Sequence, residues 1–154
     1  MNNKTLSLKR IKTELNEINN SNLFGLSIGM IDNDYYHLKA IIVNTDNNSP
    51  FYYKFLELEI KLSENYPFKE PKIILKTPIF HPNFLNDKIC LDIIKSDRWS
   101  PALTLEKVLL SILSLLDDAN PNDPLNTDAA NLYINNRSEY NKRVRLMFNK
   151  NIYF

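Results

Sequence analysis

The stretch that decides the fold of this chain is the run FLELEIKL at residues 55–62. Leucine or isoleucine recurs at every second position from Leu56, while Glu57, Glu59 and Lys61 lie between them. Side chains alternate between the two faces of a β-strand, so the run predicts a strand with one buried face and one face in water. We therefore expect a sheet that covers a core on one side only.

Three further segments extend this sheet, and a helix precedes it. Residues 26–30 alternate in polarity, residues 38–43 follow a turn at 32–34, and residues 72–75 are a short apolar run. These segments predict four antiparallel strands. Ahead of them an apolar stripe predicts an amphipathic helix that Thr5 or Ser7 can cap. The stripe consists of Leu8, Ile11, Leu15 and Ile18, and Lys9, Arg10, Lys12 and Glu14 lie between them.

The second half of the chain predicts three helices. Thr104 can cap a strongly apolar run over residues 105–116, which indicates a central buried helix that ends at the Pro-rich segment 120–124. Two shorter helices are expected to open near Thr127 and Ser138. Helix, four-stranded meander and helices in this order predict an α+β fold, with one domain over residues 1–154.

Composition excludes several classes of function. The chain has 154 residues, a formal net charge of +1 and one cysteine. The near-neutral charge gives no reason to expect nucleic acid or a membrane as partner. One cysteine and two histidines allow neither an internal disulfide nor a tetrahedral zinc site, so we expect no metal. No apolar segment approaches the length of a membrane span, and a location in the cytoplasm or nucleus is expected.

The single cysteine, Cys90, lies in a segment that the sequence keeps out of helices. Seven of the eight prolines surround it, at positions 67, 71, 78, 82, 101, 121 and 124. Proline fixes φ and lacks an N–H, so residues 79–101 are expected to be an irregular, stiff loop. Lys88 is the one positively charged residue close to Cys90 in this run. The pattern suggests a thiol nucleophile displayed by a rigid loop.

Five motifs in this region resemble the catalytic domain of ubiquitin-conjugating enzymes. They are Tyr66–Pro71 (YPFKEP), His81–Asn83 (HPN), Ile89–Asp92 (ICLD), Trp99–Leu103 (WSPAL) and Asn120–Leu125 (NPNDPL). The resemblance extends from the first helix, at Leu8–Ile11, to Tyr140 and Asn141. It implies that Cys90 accepts ubiquitin as a thioester from an activating enzyme and passes it to a substrate lysine, or to a ligase cysteine. It also implies that the chain is a monomer. It implies no cofactor, because the activating enzyme and not this chain uses ATP.

The resemblance also assigns roles to individual residues. Besides Cys90, it implies that Asn83 stabilises the oxyanion of the tetrahedral intermediate and that Asp123 orients the incoming lysine. Asn83 could instead only tie the loop together, and Asp123 could be only a turn former between two prolines. His81 and Asp92 are expected to support the loop. His81 as the general base of a cysteine hydrolase is a weaker alternative, because Pro82 follows it directly.

The expected binding surfaces follow from the same resemblance. Phe68, Pro101 and Ala102 would contact a RING- or HECT-type ligase, and Lys9, Arg10 and Lys12 would contact the activating enzyme. Donor ubiquitin would lie against Leu110 and Ser114, and a second ubiquitin could bind without a covalent bond at Ser27. For each set the alternative is ordinary packing or a solvated face.

The sequence departs from the family pattern in ways that keep a non-catalytic scaffold open, and a second alternative concerns the modifier carried. The glycine pair of the third-strand hairpin is replaced by residues such as Tyr53, and the segment from Asn83 to Cys90 is about one residue short. A reshaped hairpin and a tightened cysteine loop are therefore expected. The alternatives are a non-catalytic ubiquitin-binding scaffold and a conjugating enzyme for another ubiquitin-like modifier. The retained cysteine argues against the scaffold, and the Leu91–Asp92 and Trp99–Leu103 motifs favour ubiquitin.

Overall fold

A computed structural model describes the backbone of residues 2–151 and the side chains of residues 2–148. Helix α1 spans Asn3–Asn20, and its N-terminal cap is Asn2, whose side chain accepts a hydrogen bond from the N–H of Thr5 over 2.9 Å. The expectation that Thr5 or Ser7 caps this helix is wrong, because the helix begins before both residues. Ser7 lies buried within it and contacts the hydroxyl of Tyr36 instead.

The four expected strands form one antiparallel sheet in the order β1-β2-β3-β4. They span Leu26–Ile31, Asp34–Val43, Phe55–Lys61 and Lys72–Leu75. In β3 the residues Leu56, Leu58 and Ile60 are fully buried, and each stands opposite an apolar residue of β2. This register puts the apolar sets of both strands on one face, toward the helices, as the alternation in residues 55–62 predicts.

The segment before and after Cys90 is more ordered than expected. Residues Phe84–Leu85 (β5) and Lys88–Ile89 (β6) pair as a short hairpin, and Asp92–Ile94 form a 3-10 turn. Asn86 starts the two-residue hairpin turn with φ 56, a left-handed conformation that asparagine tolerates well. The prediction of a wholly irregular stretch over residues 79–101 is therefore wrong for these three short elements.

Three helices follow, as predicted. Helix α2 spans Leu105–Asp117, α3 Thr127–Asn135 and α4 Arg137–Asn151. Thr104 caps α2 by accepting from the N–H of Lys107, and the side of α2 that carries Leu105, Val108 and Ile112 is fully buried. The last helix, with 15 residues, is longer than the 13-residue α2, so the expectation of two shorter C-terminal helices fails for α4.

Glu14 departs from the expected polar face of α1. Its side chain is only 2% exposed, although it was placed among the polar residues between the stripe positions. The residue lies three positions after the buried Ile11 and one before the buried Leu15, so helical geometry turns it toward the core. A buried carboxylate requires partners, and these are described below.

Two positions near the connection between β2 and β3 have positive φ: Tyr53 lies within it, and Gly25 lies just before β1. Tyr53 takes φ 57, and its N–H donates to the carbonyl oxygen of Asn44 over 2.8 Å. Gly25, with φ 96, lies close to Val43, whose N–H donates to its carbonyl oxygen. The connection between β2 and β3 thus has a left-handed turn residue, Tyr53, that is not a glycine. Elsewhere in the chain, the peptide bond between Tyr66 and Pro67 is cis.

Candidate functional site

Cys90 lies directly after the β5–β6 hairpin, with a free and half-buried thiol. Its N–H donates to the carbonyl oxygen of Asn83 over 2.9 Å. Asn83 and Cys90 flank the pair formed by Phe84 and Ile89, so the hairpin hydrogen bonds hold both residues together. The backbone of the cysteine is therefore fixed by local pairing to the motif that contains Asn83.

An open groove of about 360 Å³ lies beside Cys90. Apolar side chains make up most of its walls, among them Ile73 from β4 and Leu125 from the loop after α2. Lys88 and Lys95 also line it. The sulfur thus borders an accessible surface that can receive an acyl group, and the groove is shared with the segment that carries Asp123.

Lys95 is a neighbour of the cysteine that the sequence analysis missed. Its ammonium contacts the carboxylate of Asp92 over 2.8 Å. This hydrogen bond raises the pKa of Lys95, and the negative charge of an ionised Cys90 raises it further, with a smaller contribution from Asp123. The same contact lowers the pKa of Asp92. The spacing of Asp92 and Lys95 by three residues brings the two side chains together only because a 3-10 turn forms at Asp92–Ile94, which the sequence did not indicate.

His81 is fully buried, and both of its ring nitrogens have partners. Its Nδ1 accepts from the N–H of Asn83 over 2.9 Å, so its Nε2 is the protonated nitrogen and donates to the carbonyl oxygen of Leu115 over 2.7 Å. Burial lowers the pKa of His81 to about 4. A neutral ring with both nitrogens engaged inside the protein supports the loop and offers no general base to Cys90.

Asn83 is held as tightly as His81. Its side chain is 2% exposed, its amide nitrogen donates to the carbonyl oxygen of Asn120, and its amide oxygen accepts from the N–H of Asn120, both over 2.8 Å. Two opposed hydrogen bonds fix the orientation of the amide group. The loop-tying geometry that the sequence left open is therefore present, and it connects the cysteine hairpin to the end of α2.

The loop that carries Asp123 is anchored at both ends by the same motif. Asn120 is bound by Asn83, and the N–H groups of Leu125 and Asn126 both donate to the carbonyl oxygen of Pro82, over 2.9 and 3.0 Å. Asp123 itself is exposed between these anchors. The structure thus brings Cys90, Asn83 and the loop of Asp123 into one connected unit.

The surface expected to bind a ligase is formed by two loops that contact each other. Phe68 is 70% exposed, and Pro101 and Ala102 are also exposed. The indole N–H of Trp99 donates to the carbonyl oxygen of Pro67 over 2.7 Å, which joins the two loops.

The basic residues of α1 do not share one environment. Lys9 and Lys12 are exposed, and the ammonium of Lys12 lies 5.2 Å from the centre of the Tyr35 ring. Arg10 points elsewhere, because its guanidinium group binds Glu14 and the carbonyl oxygens of Pro101 and Leu103. A contact of Lys9 and Lys12 with the activating enzyme stays a prediction, and Arg10 is already engaged within the chain.

The residues expected to contact ubiquitin lie on two separate surfaces. Leu110, 41% exposed, and Ser114 lie one turn apart on the outer side of α2. Ser27 is exposed on the edge strand β1, beside an apolar groove of about 390 Å³ that Phe24 and Phe55 also line. Since β1 and β4 are the two edges of the sheet, Ser27 lies across the sheet from the groove at Cys90.

The described part of the chain has neither a candidate metal cluster nor a candidate membrane span. Among its residues, no group of three or more His, Cys, Asp or Glu side chains is placed so that it could hold a metal ion. None of its helices combines the length and the apolar character that crossing a bilayer would need.

Comparison with known families matches most of this chain to a family model. A family model described as "Ubiquitin-conjugating enzyme" matches residues 10–148. The matched segment begins inside α1, ends in α4 and includes every element of the site around Cys90.

Proposed function

The chain belongs to the ubiquitin-conjugating enzyme family, and on this premise we propose that it carries ubiquitin as a thioester on Cys90. In the first step the sulfur of Cys90 attacks the thioester carbonyl of ubiquitin bound to the activating enzyme, and the thiol of that enzyme leaves. In the second step a lysine amine of a substrate, or a ligase cysteine, attacks the new thioester, and the Cys90 sulfur is the leaving group.

The observation that carries this proposal is the position of Cys90 in the site. The only thiol of the chain borders an open groove, while its backbone is fixed to Asn83 by a hydrogen bond of 2.9 Å. A thioester lacks the resonance that protects an amide, so its aminolysis depends mainly on positioning the amine and stabilising the oxyanion. A rigid thiol beside an open groove suits this chemistry.

Asn83 is proposed to serve the second step in two ways. Its clamp on Asn120 holds the loop that carries Asp123, and its amide nitrogen has a second N–H for the oxyanion. Loss of one such donor typically costs roughly 3 kcal/mol of transition-state stabilisation.

Asp123 is proposed to accept a hydrogen bond from the incoming amine. This contact orients the amine and helps it to lose a proton as the C–N bond forms. Asp123 suits the role because it is exposed on a loop whose two ends are both tied to the His81–Asn83 motif.

The partners proposed for this activity are ubiquitin, an activating enzyme, RING- or HECT-type ligases and protein substrates. The exposed Phe68 and Pro101 support the ligase surface, and the exposed Lys9 and Lys12 support the surface for the activating enzyme. Family membership supports ubiquitin-like modifiers in general. The test therefore includes related modifiers as well as ubiquitin.

A charging assay tests the proposal. The chain is incubated with ubiquitin, activating enzyme and ATP, and the products are separated without reducing agent beside the Cys90→Ser variant. One added ubiquitin that a thiol removes is expected for the parent, and the variant should give a thiol-resistant ester or no adduct. A folded parent that gives no adduct with ubiquitin or with related modifiers would contradict the proposal and favour a binding scaffold, which titration with ubiquitin would then check.

A further inference from the structure

Glu14 is a buried carboxylate that the proposed chemistry at Cys90 does not use. Its Oε1 accepts from the N–H of Leu105 over 2.6 Å, and its Oε2 accepts from the hydroxyl of Tyr66 over 2.5 Å. The Nε–H of Arg10 donates to the same Oε2 over 2.9 Å. Burial, and then the charge of Glu14, raise the pKa of Tyr66, so its hydroxyl remains a donor. Three donors thus compensate a carboxylate that water barely reaches.

Arg10 extends this arrangement to the adjacent loop. One terminal nitrogen of its guanidinium donates to the carbonyl oxygens of Pro101 and Leu103, over 2.9 and 3.0 Å. The planar guanidinium presents several N–H groups in fixed directions, so one side chain can bind Glu14 and two carbonyl groups together. The backbone on both sides of Ala102 is therefore fixed from α1.

The two ends of the arrangement reach the two loops of the expected ligase surface. Tyr66 leads into Phe68, while Arg10 binds the loop that presents Pro101 and Ala102. The loops also contact each other directly, through the hydrogen bond from the Trp99 indole to Pro67. The Arg10–Glu14 pair therefore makes hydrogen bonds to both loops.

We propose that the Arg10–Glu14 pair is a positioning pair that sets the separation of the two ligase-binding loops. The identity of the partner rests on the proposed function, whereas the fixing of the loops rests on the contacts above. Neither side chain touches the reacting atoms. If the pair is weakened, a ligase must order the loops as it binds, so its affinity falls while the chemistry at Cys90 continues.

Trp99 allows a first test that requires no partner. It is the only tryptophan of the chain, and it lies in the contact between the two loops. Arg10→Lys keeps the charge but loses the planar fork, and Glu14→Gln removes the charge. Both variants should increase quenching of Trp99 fluorescence by acrylamide, by roughly twofold. Arg145→Lys and Glu17→Gln, at exposed positions, are the matched controls and should show no change.

The milder variant Tyr66→Phe keeps the test usable if Glu14→Gln does not fold. It removes one hydrogen bond to Glu14 and leaves the ion pair with Arg10 in place. Its quenching should lie between that of the parent and that of Arg10→Lys. The inference would be overturned if Arg10→Lys and Tyr66→Phe both fold and acrylamide quenches their Trp99 fluorescence to the same extent as in the parent.

The second test separates ligase binding from chemistry. Purified RING domains are first compared by how much each one accelerates the transfer of ubiquitin from Cys90 of the unchanged chain to free lysine. The domain that gives the largest acceleration is then used. For Arg10→Lys we expect the half-saturating RING concentration to rise about fivefold to tenfold. The maximal rate and the rate without a RING domain should stay within about twofold, because the contacts at Cys90 are unchanged.

The outcomes distinguish this inference from the proposed function. If the unchanged chain is not charged, the proposed function fails, and the Trp99 measurement still decides whether the pair fixes the loops. If charging is normal but Arg10→Lys leaves the half-saturating RING concentration unchanged, the inference is wrong. It is also wrong if no RING domain stimulates a normally charged parent, because the surface would then lack the partner it requires.

Discussion

Acidification should destabilise this protein through His81. The ring is neutral in the folded chain, since its Nδ1 accepts from Asn83 and its Nε2 donates to Leu115. Protonation of Nδ1 would place two N–H groups against each other inside a buried site. Burial accordingly lowers the pKa of His81 from 6.5 to about 4.

The magnitude follows from proton linkage. A histidine with a lowered pKa binds fewer protons when folded, so its contribution to stability is complete above pH 6.5 and is lost as the pH falls toward 4. In the unfolded chain at pH 5, the protonated form of the His81 ring outnumbers the neutral form by about 30 to 1. In the folded chain only about one molecule in ten carries a protonated ring. This difference in protonation lowers the free energy of unfolding at pH 5 by about 2 kcal/mol relative to pH 7.5. That is a large share of the stability of a typical protein.

The assay is denaturant unfolding, followed by Trp99 fluorescence, at pH 7.5, 6 and 5. His81→Gln keeps a donor and an acceptor of similar reach but does not titrate, so the difference in stability between pH 7.5 and 5 should shrink by about 2 kcal/mol. His37→Gln is the matched control because it removes the other histidine, which is only half-buried on β2. Other carboxyl groups titrate alike in the parent and in His81→Gln, so the difference between these two proteins isolates His81, whereas His37→Gln also loses the contact with Glu59.

Two results would refute this reasoning. If His81→Gln keeps the full dependence of stability on pH, the neutral, buried state assigned to His81 is wrong. A parent whose unfolding free energy does not change between pH 7.5 and 5 would contradict it equally.

Three further predictions concern the sheet and the site. Gly25→Ala should lower the unfolding free energy by about 2 kcal/mol or more, because the added Cβ would lie 2.8 Å from the carbonyl oxygen of Val43 at a φ of 96. Gly29→Ala, where nothing lies within 4 Å, should be neutral or stabilising in the same denaturation assay. Asp123→Asn should slow transfer of ubiquitin to free lysine by about tenfold to a hundredfold in single-turnover discharge, while charging stays normal. Asn83→Ala should slow the same step by roughly a hundredfold and increase amide hydrogen exchange in residues 120–126; slower transfer without faster exchange would separate an oxyanion role from the clamp.

The position of Glu14 shows where periodicity alone was insufficient. The stripe of α1 was predicted from apolar residues, so a glutamate between them was assigned to the solvent face. Its burial depends on donors that come from Tyr66 and Leu105, 52 and 91 positions away in sequence. A single helix gives no information about partners at that distance, and propensity treats every glutamate alike.

The cysteine loop shows a different limit. Proline positions predicted a stiff, non-helical segment, and residues 79–101 do lack an α-helix. The short β5–β6 hairpin was missed because two paired residues per strand carry almost no alternation to detect. Lys95 was missed because the 3-10 turn that brings it back toward Cys90 is set by the fold around it.

The sequence by itself determined the α+β order of elements, the face that β3 buries, the cap of α2 and the family, because these depend on local periodicity, capping residues and five spaced motifs. Only the tertiary structure decided that His81 is neutral, that Asn83 clamps the loop of Asp123, and that Arg10 is directed at Pro101 and Leu103. The physical reason is that burial and hydrogen-bond partners set the charge state and orientation of a polar side chain. In this chain most of those partners are separated from it by tens of residues, and packing alone brings them within 3 Å.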